Sequence, residues 1–310
     1  MSGEKKYLYG PVPSRRLGRS LGVDIVPFKF CTLDCVYCQL GKTTEKTIQR
    51  SDFGNLEEIL VELKDKLAEG LQADFITIGG SGEPTLNSRL GELIDGIKKI
   101  TDIPVAILTN GTLLYREDVR ADCAKADVVL PSLDAGSEQI FQKINCPHSG
   151  LNIEQLISGL CEFRKKFAGQ IWLEVFLIDG FNTDTGQIIK IKDAVRRICP
   201  DKVQLNTAVR PAIDPSVKCL SPEKLRNIAD QLGENCEVIA DFSSQNTNEK
   251  FQSRAEDLLS ILKRRPCSLG DISSALNMDR NEAIKHITFL QQQGLVNSVQ
   301  KGGIIFFKAN

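Results

Sequence analysis

Short apolar runs alternate with segments of helical periodicity from residue 22 onward. The apolar runs predict strands over 22–27, 74–79, 104–109, 127–133, 171–178 and 202–207, with 236–240 as a candidate seventh. The segments between them predict helices over 56–69, 90–100, 116–124, 138–144, 153–167, 186–198 and 222–232. Strands that alternate with helices indicate an α/β fold built of βαβ units around a parallel sheet. Six such units without a dinucleotide fingerprint suit an open or partial barrel at least as well as a doubly wound sheet, and functional groups then lie in the loops after the strands.

The pattern changes after the polar stretch 241–250. Helices are predicted over 254–263, 269–276 and 280–293, and Gly294 then ends the last helix ahead of a short hairpin with the tip QKGG. Three helices and a hairpin describe a winged helix-turn-helix. We therefore predict a barrel domain over 1–240, a linker over 241–250 and a winged helix-turn-helix domain over 251–310.

Composition and charge narrow the function classes. The 310 residues are 41% apolar and 25% charged, which is typical of a folded protein, and roughly 150 residues per domain suggests two domains. The 39 Lys and Arg against 40 Asp and Glu argue against a surface that coats polyanions. No apolar run is long enough for a membrane span, and the start has no signal-peptide pattern, so we expect a cytoplasmic location.

The predicted C-terminal domain is only mildly basic. It holds eight Lys and Arg against five Asp and Glu, and its recognition helix offers Arg280, Lys285 and His286. DNA binding is therefore an open hypothesis that the charge does not favour.

Three of the ten cysteines are clustered and the other seven are scattered singly. Cys31, Cys35 and Cys38 form the pattern C-x₃-C-x₂-C in the loop after the first predicted strand. Thiolates this close together can hold one metal centre. Zinc is the plainer alternative, but a structural zinc site normally has four ligands. Three thiolates without a fourth favour a [4Fe–4S] cluster with one iron open to a substrate or cofactor.

With Tyr37 before the last cysteine, this pattern resembles the signature of the radical S-adenosylmethionine (radical SAM) superfamily. The surrounding segment GPVPSRRLGRSLGVDIVPFKFCTLDCVYCQLG resembles a poorly characterised branch related to the wybutosine-synthesis enzymes, and the resemblance covers about residues 7–240. It implies a partial (β/α)₆ barrel, a [4Fe–4S] cluster on the three cysteines and an electron donor of the flavodoxin or ferredoxin class. It further implies cleavage of SAM to a 5′-deoxyadenosyl radical that abstracts hydrogen from an unidentified substrate. No cysteine precedes Cys31, so a second cluster of the kind found in wybutosine enzymes is not expected.

The resemblance also suggests which side chains bind SAM. ITIGGSGEPTL is similar to the motif in which glycine backbone and a glutamate receive the methionyl ammonium, a role that a carboxylate suits. Segments after later strands add polar contacts to SAM or substrate. The candidate cofactor-binding residues are Tyr37, Gly79, Gly80, Gly82, Glu83, Asn110, Ser132, Asp134, Asn206 and Arg210.

Two further segments have open roles. Arg15, Arg16 and Arg19 in SRRLGRS are candidates to hold an anionic substrate or to form a solvated basic loop. Cys146 and His148 in INCPHSG are candidates for an acid or thiol near the site, or for a buried thiol and a loop histidine. The catalytic residue is not identified.

The expected function is a radical SAM enzyme, with two alternatives. One is a DNA-binding regulator that senses SAM or an iron–sulfur cluster. The other is a radical enzyme that modifies tRNA or a peptide, with the winged helix as the module that recognises the substrate. The candidate partners of the winged helix are therefore a peptide, a protein, RNA or DNA.

Overall fold

The computed structural model describes residues 7–209, 214, 216–240, 245–276, 278–301 and 304–310. Within the first 240 residues the strands are β1 (Leu8–Ser14), β2 (Gly18–Val23), β3 (Phe30–Cys31), β4 (Glu45–Lys46), β5 (Phe75–Ile78), β6 (Val105–Leu108), β7 (Val128–Leu130), β8 (Gln170–Leu177), β9 (Lys202–Thr207) and β10 (Cys236–Val238). The helices of the same segment are α1 (Leu56–Ala68), α2 (Leu90–Lys98), α3 (Glu117–Cys123), α4 (Glu138–Asn145), α5 (Ile153–Lys166), α6 (Thr185–Ile198) and α7 (Pro222–Leu232). Local sequence explains several helix starts: Asn152 and Gln155 form a capping box on α5, and Ser221 caps α7.

Eight strands form one sheet in the order β1-β2-β5-β6-β7-β8-β9-β10. β1 is antiparallel to β2, and every neighbouring pair from β2 to β10 is parallel. Strands that follow each other in chain order wind in one direction, without the reversal that marks a doubly wound sheet. The two ends of the sheet also meet, because Arg15 in the β1–β2 turn donates to the carbonyl of Ile239, just after β10, at 3.1 Å. The architecture is therefore the predicted partial barrel of six βα units.

The two faces of the sheet have different cores. Val105, Ile107 and Val129 belong to the large core under the helices. The alternate residues face inward and form a smaller apolar floor of the barrel with the β1–β2 turn; its buried members are Leu17, Ala106, Val128, Leu130 and Trp172. Since side chains on a strand repeat every two residues, Glu174 and Phe176 continue the inner face above Trp172. The inner face is thus apolar near the amino ends of the strands and more polar above.

The C-terminal segment has α8 (Gln245–Arg264), β11 (Cys267–Ser268), α9 (Leu269–Leu276), α10 (Arg280–Gln292), β12 (Val296–Lys301) and β13 (Ile304–Ala309). Its strands form a three-stranded sheet in the order β11-β13-β12. Its buried apolar residues form a cluster separate from the barrel core, including Ala255, Leu258, Leu262, Ile272, Ala283, Ile287 and Leu290. One face of α10 contacts the barrel. Asn281 Oδ1 lies 3.3 Å from Ser81 Oγ, and Thr288 Oγ1 lies 3.7 Å from where a Cβ on Gly41 would stand.

Several predictions need correction. The strand predicted over 22–27 is β2, which lies at Gly18–Val23, and β1 was not predicted. β1 contains Pro11 and Pro13, which an edge strand tolerates but which weaken the sequence signal. α8 begins at Gln245, inside the predicted linker 241–250, and 241–244 lie outside the described residues. No helix in the described part of the chain is long and apolar enough to cross a membrane.

Candidate metal centre

Cys31 ends β3, and Cys35 and Cys38 lie in the loop between β3 and β4. These two-residue strands pair in parallel. Thr43 bonds back to the loop, with its N–H on Asp34 Oδ1 at 2.7 Å and its hydroxyl on the Leu33 carbonyl at 2.6 Å. Earlier in the loop the chain turns, and the Cys38 N–H donates to the Cys35 carbonyl at 3.0 Å. Hydrogen bonds within the loop therefore contribute to its shape.

Each cysteine sulfur faces a different side-chain nitrogen. Asn110 Nδ2 donates to Cys31 Sγ at 3.6 Å, and Asn145 Nδ2 donates to Cys35 Sγ at 3.5 Å. Lys29 Nζ donates to Cys38 Sγ at 3.1 Å. Three donors from three parts of the chain thus converge on the three sulfurs.

Two opposing electrostatic effects act at the sulfurs, burial of the thiols and the nearby Lys29 ammonium. Burial raises the pKa of Cys31 to about 12 and the pKa of Cys35 well above its usual range, so both thiols stay protonated at neutral pH unless a metal displaces the proton. Burial alone would lower the pKa of Lys29, but the Cys38, Cys31 and Cys35 sulfurs raise it overall. The Lys29 ammonium therefore favours negative charge at the sulfurs, whereas burial disfavours it until a metal replaces the thiol protons.

Glu83 is a buried carboxylate at the centre of the glycine-rich loop. Its Oε1 accepts from Thr85 N at 3.1 Å and from the hydroxyls of Thr85 and Thr109, both at 2.6 Å. Its Oε2 accepts from Asn110 N at 2.7 Å. Glu83 therefore ties the loop after β5 to the loop after β6. Oε2 accepts one hydrogen bond from the described residues, so it keeps a further acceptor position.

The glycines of this loop make room mainly for the chain itself. A Cβ on Gly82 would lie 2.1 Å from the Phe30 carbonyl oxygen, next to the cysteine loop, and a Cβ on Gly80 would lie 2.9 Å from the Asp24 carboxyl carbon. The Gly79 carbonyl accepts from the Tyr9 hydroxyl at 3.3 Å. The close approach that the sequence suggested for a ligand is thus used in part for packing of the two loops against each other.

Tyr37 and Asp134 belong to one buried network. The Tyr37 hydroxyl donates to Asp134 Oδ2, which also accepts from Asn145 Nδ2 at 2.7 Å, and Asp134 Oδ1 accepts from Phe176 N at 3.0 Å. The Tyr37 ring stacks on Phe176, with centroids 4.0 Å apart and planes 12° apart. Burial raises the pKa of Asp134 to about 6. Because Asn145 also bonds Cys35, this network fixes one side of the cysteine loop.

Comparison with known proteins decides which family uses this arrangement. A sequence profile of the radical SAM superfamily matches residues 25–190. The UPF0026 protein of Methanocaldococcus jannaschii is 33% identical over 311 residues, which cover 97% of this chain and 95% of that protein. The chain belongs to the radical SAM superfamily.

Enzymes of the radical SAM superfamily use a [4Fe–4S] cluster and SAM, so the chain is a radical SAM enzyme. A Brachyspira hyodysenteriae protein named GTPase Obg is 37% identical over 308 residues, which cover 98% of this chain but only 45% of that protein. Across the described ranges no three His, Cys, Asp or Glu side chains gather closely enough to bind a single metal ion.

Solved structures agree on the fold. Streptococcus suis SuiB bound to the precursor peptide SuiA superposes with a TM-score of 0.54 at 15% identity, over 72% of this chain and 50% of that one. A radical SAM methyltransferase from Sphaerobacter thermophilus gives 0.52 at 16% identity, over 72% of this chain and 66% of that one. At these identities the likeness shows the radical SAM barrel and nothing about substrate.

Other predicted site residues lie on the inner face of the radical SAM barrel. The backbone of Ser132 forms an isolated parallel bridge with Glu174 of β8, and Asn206 Nδ2 donates to Glu174 Oε1 at 2.8 Å. Arg16 reaches the same carboxylate from the β1–β2 turn, at 2.7 Å. Glu174, which the sequence analysis missed, is thus the centre of a polar layer above the apolar floor.

The remaining predictions have mixed outcomes. The three arginines of SRRLGRS are not gathered at one site, because Arg19 lies at the surface beside Asp74 while Arg16 points inward. The Cys146 carbonyl accepts from Asp34 N at 3.3 Å, and His148 N donates to the Thr32 carbonyl at 2.9 Å, so this segment supports the cysteine loop through its backbone. Arg210 lies outside the described residues.

Sequence analysis also missed Lys29 and Asn145. Lys29 stands two residues before Cys31, so its closeness to the motif was a usable signal. Asn145 lies 110 residues from Cys35 and carried none.

Proposed function

We propose that Cys31, Cys35 and Cys38 hold the [4Fe–4S] cluster and that the barrel opens to its substrate at the carboxyl ends of the strands. The observation that carries this proposal is that each of the three sulfurs faces its own N–H donor. N–H donors stabilise the negative charge on sulfurs that bind a cluster. Hydrogen bonds to these sulfurs are one way in which a protein sets the reduction potential of an iron–sulfur centre. Three thiolates leave one iron open for SAM.

Bound at these residues, the cluster would supply one electron, taken from a flavodoxin- or ferredoxin-class donor, for reductive cleavage of the C5′–S bond of SAM. The products would be methionine and a 5′-deoxyadenosyl radical that takes hydrogen from the substrate. The protein's own residues bind and orient SAM and exclude water from the site. Glu83 Oε2 has an acceptor position for the methionyl ammonium, next to the cysteine loop that Gly82 packs against. Asn110 links Glu83 to the cysteine loop, because its backbone N–H donates to Glu83 Oε2 and its side-chain Nδ2 donates to Cys31 Sγ.

The inner face supports a substrate site below this pocket. Arg16, Glu174 and Asn206 form a linked polar layer, and Ser132 lies beside it. The apolar floor around Trp172 closes the barrel beneath them and limits access of water to that side. We propose that these four side chains face the substrate.

We also propose that the chain divides into a barrel and a C-terminal winged helix-turn-helix domain. The separate apolar cluster and the sheet order β11-β13-β12 support the division. The winged-helix interpretation makes α10 the recognition helix, yet its Asn281 and Thr288 face the barrel beside Ser81 and Gly41. This position favours a domain that serves the barrel's reaction, for example by presenting a peptide or RNA, over a DNA-binding regulator.

The proposal is tested by anaerobic reconstitution. The chain should carry about four iron and four sulfide. SAM should perturb the spectrum of the reduced cluster, and incubation with SAM and dithionite should yield 5′-deoxyadenosine by mass spectrometry. Replacing any one of the three cysteines by Ala should abolish this product, whereas Cys123→Ala, at a thiol buried in the helical core, should leave the iron content unchanged.

Three results would overturn the assignment: zinc in place of iron, about eight irons per chain, or an intact cluster in Cys35→Ala.

A further inference from the structure

Lys29 is a buried lysine whose ammonium faces the cysteine loop. It is 3% exposed, and its Nζ lies 3.1 Å from Cys38 Sγ. Within the described part of the chain it forms no ion pair with a carboxylate. A buried ammonium without an anionic partner is costly, so its position calls for negative charge at Cys38.

The backbone at Lys29 supports the same conclusion independently. Its φ is 57°, in the left-handed region, where Gly or Asn would be the ordinary choice. Its N–H donates to the Ser81 carbonyl at 2.7 Å, and its carbonyl accepts from Thr44 N at 3.1 Å, so the strained turn is held from both sides. Lysine is not a residue that this left-handed conformation favours. The turn directs the Lys29 ammonium into the cysteine loop.

We propose that Lys29 is a positioning residue that sets the reduction potential of the cluster by holding a fixed positive charge at its Cys38 ligand. The proposal rests on the cluster assignment made under the proposed function. A cluster gains one negative charge on reduction, and a nearby cation stabilises the more negative state. Lys29 therefore makes the cluster easier to reduce by the electron donor, before any SAM is cleaved.

The test is a redox titration of the reconstituted chain, followed by the electron paramagnetic resonance signal of the reduced cluster. Lys29→Met keeps most of the side-chain volume and removes the charge. We expect iron content near that of the wild type. At a given solution potential the ratio of reduced to oxidised cluster should be about tenfold lower, which corresponds to a reduction potential about 59 mV more negative for a one-electron couple. Lys29→Arg keeps the charge and should restore the wild-type potential.

Lys46→Met is the matched control. Lys46 is an exposed lysine beside the same loop, and its Nζ bonds the Cys146 carbonyl at 3.1 Å. Solvent screens its charge, so the potential should stay unchanged. If Lys29→Met does not retain iron, Lys29→Gln, neutral but still a donor, is titrated instead, with the same downward shift expected.

An unchanged potential in the iron-loaded neutral variant would overturn the inference, as would an equal shift in Lys46→Met. Wild-type protein without a [4Fe–4S] signal would instead reject the proposed function, so the two failures are distinguishable.

Discussion

Replacing Glu83 by Gln converts one oxygen of a buried carboxylate into an amide nitrogen while keeping the shape of the side chain. In the wild type Oε1 accepts three hydrogen bonds and Oε2 accepts one, from Asn110 N. The nitrogen is least unfavourable at the Oε2 position, where it faces only the Asn110 N–H. That buried N–H then loses its acceptor.

Two magnitudes follow from this geometry. An unsatisfied buried N–H costs about 1–3 kcal/mol, so the free energy of unfolding should fall by that amount. The proposed bond from Oε2 to the SAM ammonium is charge-assisted and worth about 1.5–3 kcal/mol, so the Kd for SAM should rise by roughly one to two decades. The iron content should not change, because Glu83 bonds none of the three sulfurs.

The assay combines urea unfolding with calorimetric titration of SAM into anaerobically reconstituted protein. Glu92→Gln is the control, since Glu92 forms an exposed ion pair with Arg89 on α2 and its loss should cost at most about 1 kcal/mol. A Kd for SAM that stays the same while stability falls would show that Glu83 only ties two loops, and it would refute the ammonium assignment. A rise in Kd without loss of stability would refute the argument about the Asn110 N–H.

Two further outcomes are expected. Burial raises the pKa of Asp134 from 3.8 to about 6, so ionisation of this carboxyl is less favourable in the folded than in the unfolded chain. The contribution of Asp134 to the free energy of unfolding should therefore fall by about 3 kcal/mol as pH rises from about 4 to about 6. Urea unfolding of the metal-free chain across this window should show the fall in wild type and not in Asp134→Asn, and parallel curves would reject it. Deleting 251–310 should leave a barrel that holds its cluster and cleaves SAM slowly, as iron analysis and 5′-deoxyadenosine would show. Loss of the cluster would place the C-terminal segment in the barrel's own core.

Much of the fold was predictable because its signals are local. The alternation of apolar strands with amphipathic helices needs only neighbouring residues, and it located the parallel strands and the helices to within a few positions. β1 was missed because Pro11 and Pro13 hide an edge strand, and α8 was shortened because its first turns are polar.

The candidate metal centre divides in the same way. Cys31, Cys35 and Cys38 were predictable because their spacing is itself the chemical signal, and Glu83 because its loop has a characteristic composition. The groups that face these residues were not predictable, because Asn110 and Asn145 come from the ends of different βα units. They reach the sulfurs only through the winding of the sheet. Likewise the sequence alone left the role of Arg16 open, and the barrel decided it by bringing Arg16 to Glu174, 158 residues away. Periodicity and motifs act over a few residues, whereas the partner of a buried polar group is set by strand order and register, which exist only in the folded chain.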